Sequence, residues 1–199
     1  MAIVICMKVN LKLVATLALL LFLVVAVAGC LGSSVPSSSS GNSGNHASIP
    51  QVPTQSPVVT GVVGDIMEST FYDGHISWSV SQVIRGSTAN SIVESGNMFN
   101  QKPNPGYEYC LYQIQIMNLG SSKFSVMPLY WSLYANGVEA SEIVIAVLPG
   151  SYPTLNYGDI MPGASTSGWI VKQVPSGANL RVYFEPLLGL SSQSCYIQL

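Results

Sequence analysis

From Val58 to the C-terminus, apolar side chains fall at every second position in run after run. Ile76, Trp78 and Val80 alternate with Ser77, Ser79 and Ser81. Cys110, Tyr112, Ile114 and Ile116 alternate with Leu111, Gln113, Gln115 and Met117. Leu129, Trp131 and Leu133 alternate with Tyr130, Ser132 and Tyr134, and Leu180, Val182 and Phe184 with Arg181, Tyr183 and Glu185. A period of two sends neighbouring side chains to opposite faces of a pleated strand, so each run buries one face. Turn chemistry separates the runs: Asn118-Leu119-Gly120, Pro175-Ser176-Gly177 and, above all, Asn136-Gly137, the strongest short hairpin signal. Its return strand is expected from Val138 to Val147. Trp169–Val174 and Cys195–Leu199 complete the set. No window carries a helical period, although Thr88 to Asn100 leaves room for a short turn of helix. Short strands at this spacing predict an all-β, antiparallel β-sandwich over residues 58–199.

The N-terminus follows a different rule. Lys8 and Lys12 precede an unbroken apolar run, Leu13 to Val25, which ends in the small residues Ala26, Ala28 and Gly29 before Cys30. A charged start, an apolar core and a small-residue end define a secretory signal. Val27-Ala28-Gly29-Cys30 resembles the lipobox of prokaryotic lipoproteins, in which the signal is cut before the cysteine and its sulfur is lipidated. The expectation is a signal over residues 1–29, with Met1 or Met7 as its start, and membrane anchoring through lipid on Cys30. An uncleaved spanning helix is the alternative, at the short edge of what crosses a bilayer. Both place the later residues outside the cytoplasm, because the lysines stay inside.

Residues 30–57 then read as a stalk. Leu31 to Pro57 is rich in Ser, Pro, Gly and Asn and has no charged residue. Such a segment buries too little apolar surface to offset its chain entropy, and a disordered linker is expected. The chain's net charge is −2 over 199 residues. Removing Lys8 and Lys12 makes the exported form more acidic, which excludes the basic face that nucleic acid requires.

The motif order PGYEYCLYQIQIMNLG, WSLYANG, DIMPGASTSGWIVKQVP and LRVYFEP resembles a family of immunoglobulin-like extracytoplasmic domains. These follow lipoprotein signals in Gram-positive bacteria and archaea, and some carry a misleading label as telomeric repeat-binding factors. Gly106, Glu108, Tyr109, Asn118 and Gly120 match its first pattern; Pro162, Gly163, Gly168, Val174 and Pro175 match its second. Ala164 stands where the family usually has an acidic residue, and Asn136 where it usually has Asp. The resemblance implies an immunoglobulin-like fold and an extracytoplasmic site, and no known reaction.

Cys110 and Cys195 are the cysteines of the domain, each on the apolar face of its strand. Outside the cell thiols oxidise, so a Cys110–Cys195 disulfide is expected. Two buried free thiols are the alternative. The search for chemistry finds less. His75 is the domain's one histidine, beside Asp73-Gly74, with no Gly-x-Ser-x-Gly elbow to serve. Blue copper needs two histidines beside a cysteine, and zinc needs a Cys/His cluster; neither set is present. No cofactor, metal or catalytic residue is expected. The remaining feature is aromatic: Tyr152 and Tyr157 on a long loop, and Tyr130 and Tyr134 opposite the core face. Tyrosines offer flat, low-entropy contact area, but they also pack across strands. The sequence therefore predicts a lipoprotein whose sandwich binds a protein or envelope partner without catalysis. Small-ligand or glycan binding is the first alternative, and an enzyme of unrecognised kind the second.

Overall fold

The computed structural model describes residues 5–9, 58–71, 74–140, 144–186 and 195–199, with the backbone alone for 5–9. The lipobox, most of the signal and the stalk lie outside these residues. The domain packs two five-stranded sheets face to face, a sandwich-like arrangement. The first sheet holds, in order, β1 (Ile5–Val9), β3 (Ile66–Phe71), β4 (Gly74–Arg85), β5 (Tyr107–Asn118) and β10 (Ser165–Pro175). The second holds β2 (Val59–Val62), β12 (Cys195–Gln198), β11 (Leu180–Phe184), β7 (Trp131–Ala135) and β8 (Val138–Glu139). A small pair, β6 (Phe124–Val126) with β9 (Gly158–Ile160), closes one end.

The alternating runs account for the core. Ile76, Trp78 and Val80 of β4, and Cys110, Tyr112, Ile114 and Ile116 of β5, meet Trp131, Leu133, Leu180, Val182, Phe184 and Ile197 of the opposite sheet. Phe184 is the centre of an aromatic knot, 5.3 Å from Trp131, 5.7 Å from Phe71 and 5.9 Å from Trp78 between ring centroids. The Tyr112 hydroxyl helps tie the layers by donating to the Trp131 carbonyl at 3.2 Å. Asn136 and Gly137 take φ of 51° and 83°, the left-handed pair that a tight hairpin needs.

Four features depart from a plain antiparallel reading of the strands. First, the chain is not wholly β: α1 spans Gly86–Gly96. Its sequence, rich in Ser, Thr and Asn, buries only Ala89 and Val93, too thin a stripe to register as helical. Packing on Tyr109, Leu111 and Trp169 supplies the stability that propensity does not. Second, β2 and β12 run parallel. The Val62–Asp65 turn, closed by Asp65 N–H donating to Val62 C=O at 2.9 Å, sends the chain to the other sheet and so fixes the direction of β2. Third, the return strand of the hairpin stops at Glu139. Val144, Ala146 and Leu148 instead pack over the outer face of the first sheet, against the α1 cluster. Fourth, a bulge at Ser81 shifts the β4 register between Val80 and Gln82. Val83 thereby reaches the main core and Ile84 the α1 cluster.

The expected Cys110–Cys195 disulfide does not form, because Cys110 is free and buried. Geometry explains it. The Cys195 sulfur lies 3.7 Å from the Ser69 hydroxyl, and Ser69 is in line with Ile76 and Asn118 across the sheet. Cys110 is eight residues further along β5, about 27 Å at the rise of a strand. A disulfide needs Cα atoms within about 7 Å. Cys195 is disulfide-bonded, and its partner lies outside the described side chains.

Candidate functional site

The second sheet turns a row of aromatic rings outward. Leu133, Val182 and Ile197 point to the core, so the intervening Tyr134, Tyr183 and Tyr196 face away from it, all partly exposed. Register aligns them: Tyr183 pairs with Tyr196, and Arg181 with Tyr134. The Tyr134 and Tyr183 rings meet edge-on at 4.8 Å, and Tyr183 and Tyr196 lie 5.0 Å apart. The Arg181 guanidinium carbon sits 4.9 Å from the Tyr196 ring centroid, a cation over a π face. Its Nε also donates to Gln198 Oε1 at 3.3 Å, and Gln198 Nε2 donates to the Leu180 carbonyl at 2.7 Å. Around Tyr134 the charge is of the opposite sign. Burial, then the nearby carboxylates of Glu185 and Glu139, push the Tyr134 hydroxyl's pKa up. The strip is thus three phenol rings in edge-on and tilted contact, with a guanidinium over Tyr196 and two carboxylates near Tyr134, on the outward face of the second sheet.

Of the four tyrosines singled out in the sequence, only Tyr134 belongs to this row. Tyr130 packs at the closed end, 6.2 Å from Phe124 and 6.3 Å from Phe184. Tyr152 stands edge-on to Trp169 at 5.2 Å, part of the cluster over the first sheet. Tyr157 is well exposed, but on a separate loop. Tyr183, Tyr196 and Arg181 were missed as site residues. Their signal was alternation within β11 and β12, once those strands are set side by side.

The matched motif residues are architectural. Glu108 Oε1 accepts from both Nε and Nη2 of Arg85, at 3.0 and 2.7 Å, pinning the start of α1 to β5. Asn118 Nδ2 donates to the carbonyls of Ser122 and Ile160 at 2.8 and 3.0 Å, while its Oδ1 accepts from Gly120 N–H at 2.9 Å. Gly168 lets a loop cross the sheet, for a Cβ there would lie 2.3 Å from the Leu155 Cα. His75 lies 3.4 Å from Glu68 across the β3–β4 pair. Among the described residues no three His, Cys, Asp or Glu gather to hold a metal, and no helix is long and apolar enough to cross a membrane.

A second feature lies on the outer face of the first sheet, beyond α1. It is a shallow trough of about 430 Å³, floored by Ser77, Ser79, Gln115, Ser165, Thr166 and Ser167.

These features define a mostly β, sandwich-like domain with one helix-covered face and one aromatic face. Residues 67–193, more than half of the chain, match the family model DUF4352, described as a domain of unknown function, and the chain belongs to that family. No curated protein matches it. Solved structures similar to it include ycdA of Bacillus subtilis subsp. subtilis strain 168, described as a putative lipoprotein, at 12% identity and a TM-score of 0.49. That match covers 64% of this chain and 36% of the other, so the chain spans about a third of the length of ycdA. The yjhA protein of Bacillus subtilis is 15% identical with a TM-score of 0.45, over 70% of this chain and 99% of its own. A β-sandwich protein of Clostridium difficile 630 is 10% identical with a TM-score of 0.41, over 76% and 99%.

Proposed function

We propose that this is an extracytoplasmic binding module without catalysis, immunoglobulin-like in architecture, held to the membrane by lipid on Cys30 and lifted by the stalk of residues 31–57. Its contact surface for a protein or envelope partner is the Tyr134–Tyr183–Tyr196 row with Arg181. The observation that supports this reading is the row itself. Three aromatic rings and a cation stay partly exposed on the outward face of the second sheet. Aromatic and Arg side chains dominate the energetics of recognition surfaces.

The test places a photo-crosslinking amino acid at Tyr183 in the anchored protein on intact cells. One discrete adduct is expected, lost in Arg181→Ala/Tyr196→Ser, and absent when the probe is moved to Tyr157. Adducts that are diffuse, or indifferent to those substitutions, refute the assignment. The trough supports a second reading, a small ligand, because Ser, Thr and Gln side chains share its lining with Ile66, Trp78, Ile116 and Met117.

A further inference from the structure

Met98, Phe99 and Ile145 are 87, 84 and 92% exposed, more than any other large apolar side chain among the described residues. They gather in one place, where Phe99, Ile145 and Lys102 line a single cleft of about 400 Å³. Two short segments build it. Residues 97–100 turn just after α1: Phe99 N–H donates to Asn97 Oδ1 at 2.8 Å, and Asn100 N–H to the Asn97 carbonyl at 3.0 Å. Met98 and Phe99 form the tip of that turn. Asn100 clamps it to the second segment. Its Nδ2 donates to the Val93 and Val147 carbonyls at 2.6 and 2.7 Å, and its Oδ1 accepts from Val147 N–H at 3.0 Å. The exposed side chains therefore stand on a braced backbone. Residues 97–106 carry one charge, Lys102, and residues 144–158 carry none; the nine acidic residues of the chain all fall outside both segments. Lys102 is exposed and joins no ion pair among the described residues.

We propose that this tip is a second membrane contact: Met98, Phe99 and Ile145 enter the headgroup–acyl boundary of an anionic bilayer, with Lys102 against lipid phosphate. The inference rests on the lipid anchor at Cys30, which keeps a bilayer within reach of the domain. A protein partner covers apolar side chains by matching their shape. A fluid bilayer accepts side chains that project singly, as ones more than four-fifths exposed do. Such binding grows with the apolar area inserted and with the attraction of cations to anionic lipid. Charge favours the same occupant, for the one cation of these segments lies with the apolar side chains.

The test uses lipoprotein made in an exporting host, purified in detergent and returned to vesicles of phosphatidylcholine with phosphatidylglycerol. A nitrobenzoxadiazole dye is attached through Met98→Cys, Ile145→Cys or, as control, Met161→Cys. Met161 is also exposed, but it precedes the start of β10, at the opposite end of the first sheet from the start of β5. Cys110 is buried and takes no dye. Lipids brominated on their acyl chains should quench the dye at the Met98 and Ile145 positions and spare it at the Met161 position. Lys102→Glu should lower the ratio of docked to free tips about ten-fold. Phe99→Ser should lower it as well, and both side chains are too exposed for the changes to disturb the core. Flotation of each variant with the vesicles reports the anchor separately. Protein that floats while its dye at the Met98 position stays in water overturns this inference alone. So does a dye shift that needs no vesicles and grows with protein concentration, the mark of a second copy. Protein that does not float overturns the anchor reading, and this inference with it.

Discussion

The indole nitrogen of Trp78 donates to the Ser69 hydroxyl at 3.0 Å, inside the core and across the β3–β4 pair. Trp131, equally buried on the facing sheet, has no acceptor for its indole N–H among the described residues. Replacing either ring by Phe removes similar volume, but only Trp78→Phe breaks a hydrogen bond. Trp78→Phe should therefore cost about 1 kcal/mol more than Trp131→Phe. Ser69→Ala should cost about 1–3 kcal/mol, because it strands the Trp78 donor. Urea denaturation of the three variants checks both statements.

Cys110 gives the domain an alkaline weakness. Burial pushes its thiol pKa up to about 12, against a smaller lowering by Arg85, and burial also raises the Tyr112 hydroxyl. A thiol in the unfolded chain ionises near 9, so above that pH the unfolded state sheds protons that the folded state retains. Stability is whole below pH 9 and falls as the pH rises toward 12, by at most about 1.4 kcal/mol per pH unit for one group. Tyr112 adds to the loss from about pH 10. Urea midpoints at pH 8, 9.5 and 11 should decline, and the decline should flatten in Cys110→Ala.

The same burial governs reactivity. Native protein at pH 8 should leave Cys110 unlabelled by iodoacetamide, since the thiolate is the reactive form. In denaturant, without reductant, Cys110 should be alkylated. Peptide mapping that found Cys110 oxidised there would restore the disulfide excluded by the register.

Gly168 and Gly96 are places where chain meets chain. A Cβ on Gly168 would stand 2.3 Å from the Leu155 Cα, and one on Gly96 2.1 Å from the Val147 carbonyl oxygen. Backbone cannot yield as a side-chain tip can, so each Ala substitution should cost about 1–3 kcal/mol or more. Gly150, where a Cβ meets nothing within 4 Å, is the control: Gly150→Ala should leave the thermal midpoint within a degree or two.

Asn118 holds three backbone groups at once. Asn118→Ala removes one partner from each of two carbonyls and an N–H and should cost about 1–3 kcal/mol. Exchange of the amides near Gly120 and Ile160 should quicken in proportion.

Much of the fold was legible in the sequence, because a strand with one buried face must alternate. β5, β7 and β11 stand where their apolar residues recur, and the Asn136-Gly137 hairpin follows from two left-handed residues. The helix was not legible: α1 is poor in helix formers and exists because β5 offers Tyr109 and Leu111 to Ala89 and Val93. The aromatic face was half legible. Alternation sent Tyr134, Tyr183 and Tyr196 outward, but nothing local said that β7, β11 and β12 would be neighbours.

What the residues determined alone were period, turns and charge, since these depend on side chains a few positions apart. Which strands adjoin, whether Cys110 can reach Cys195, and which tyrosines share a surface depend on contacts between residues far apart in the chain. Those are set when two sheets close on one core. The cysteines show it best: each was placed correctly on an inward face, and the register between strands then put them at opposite ends.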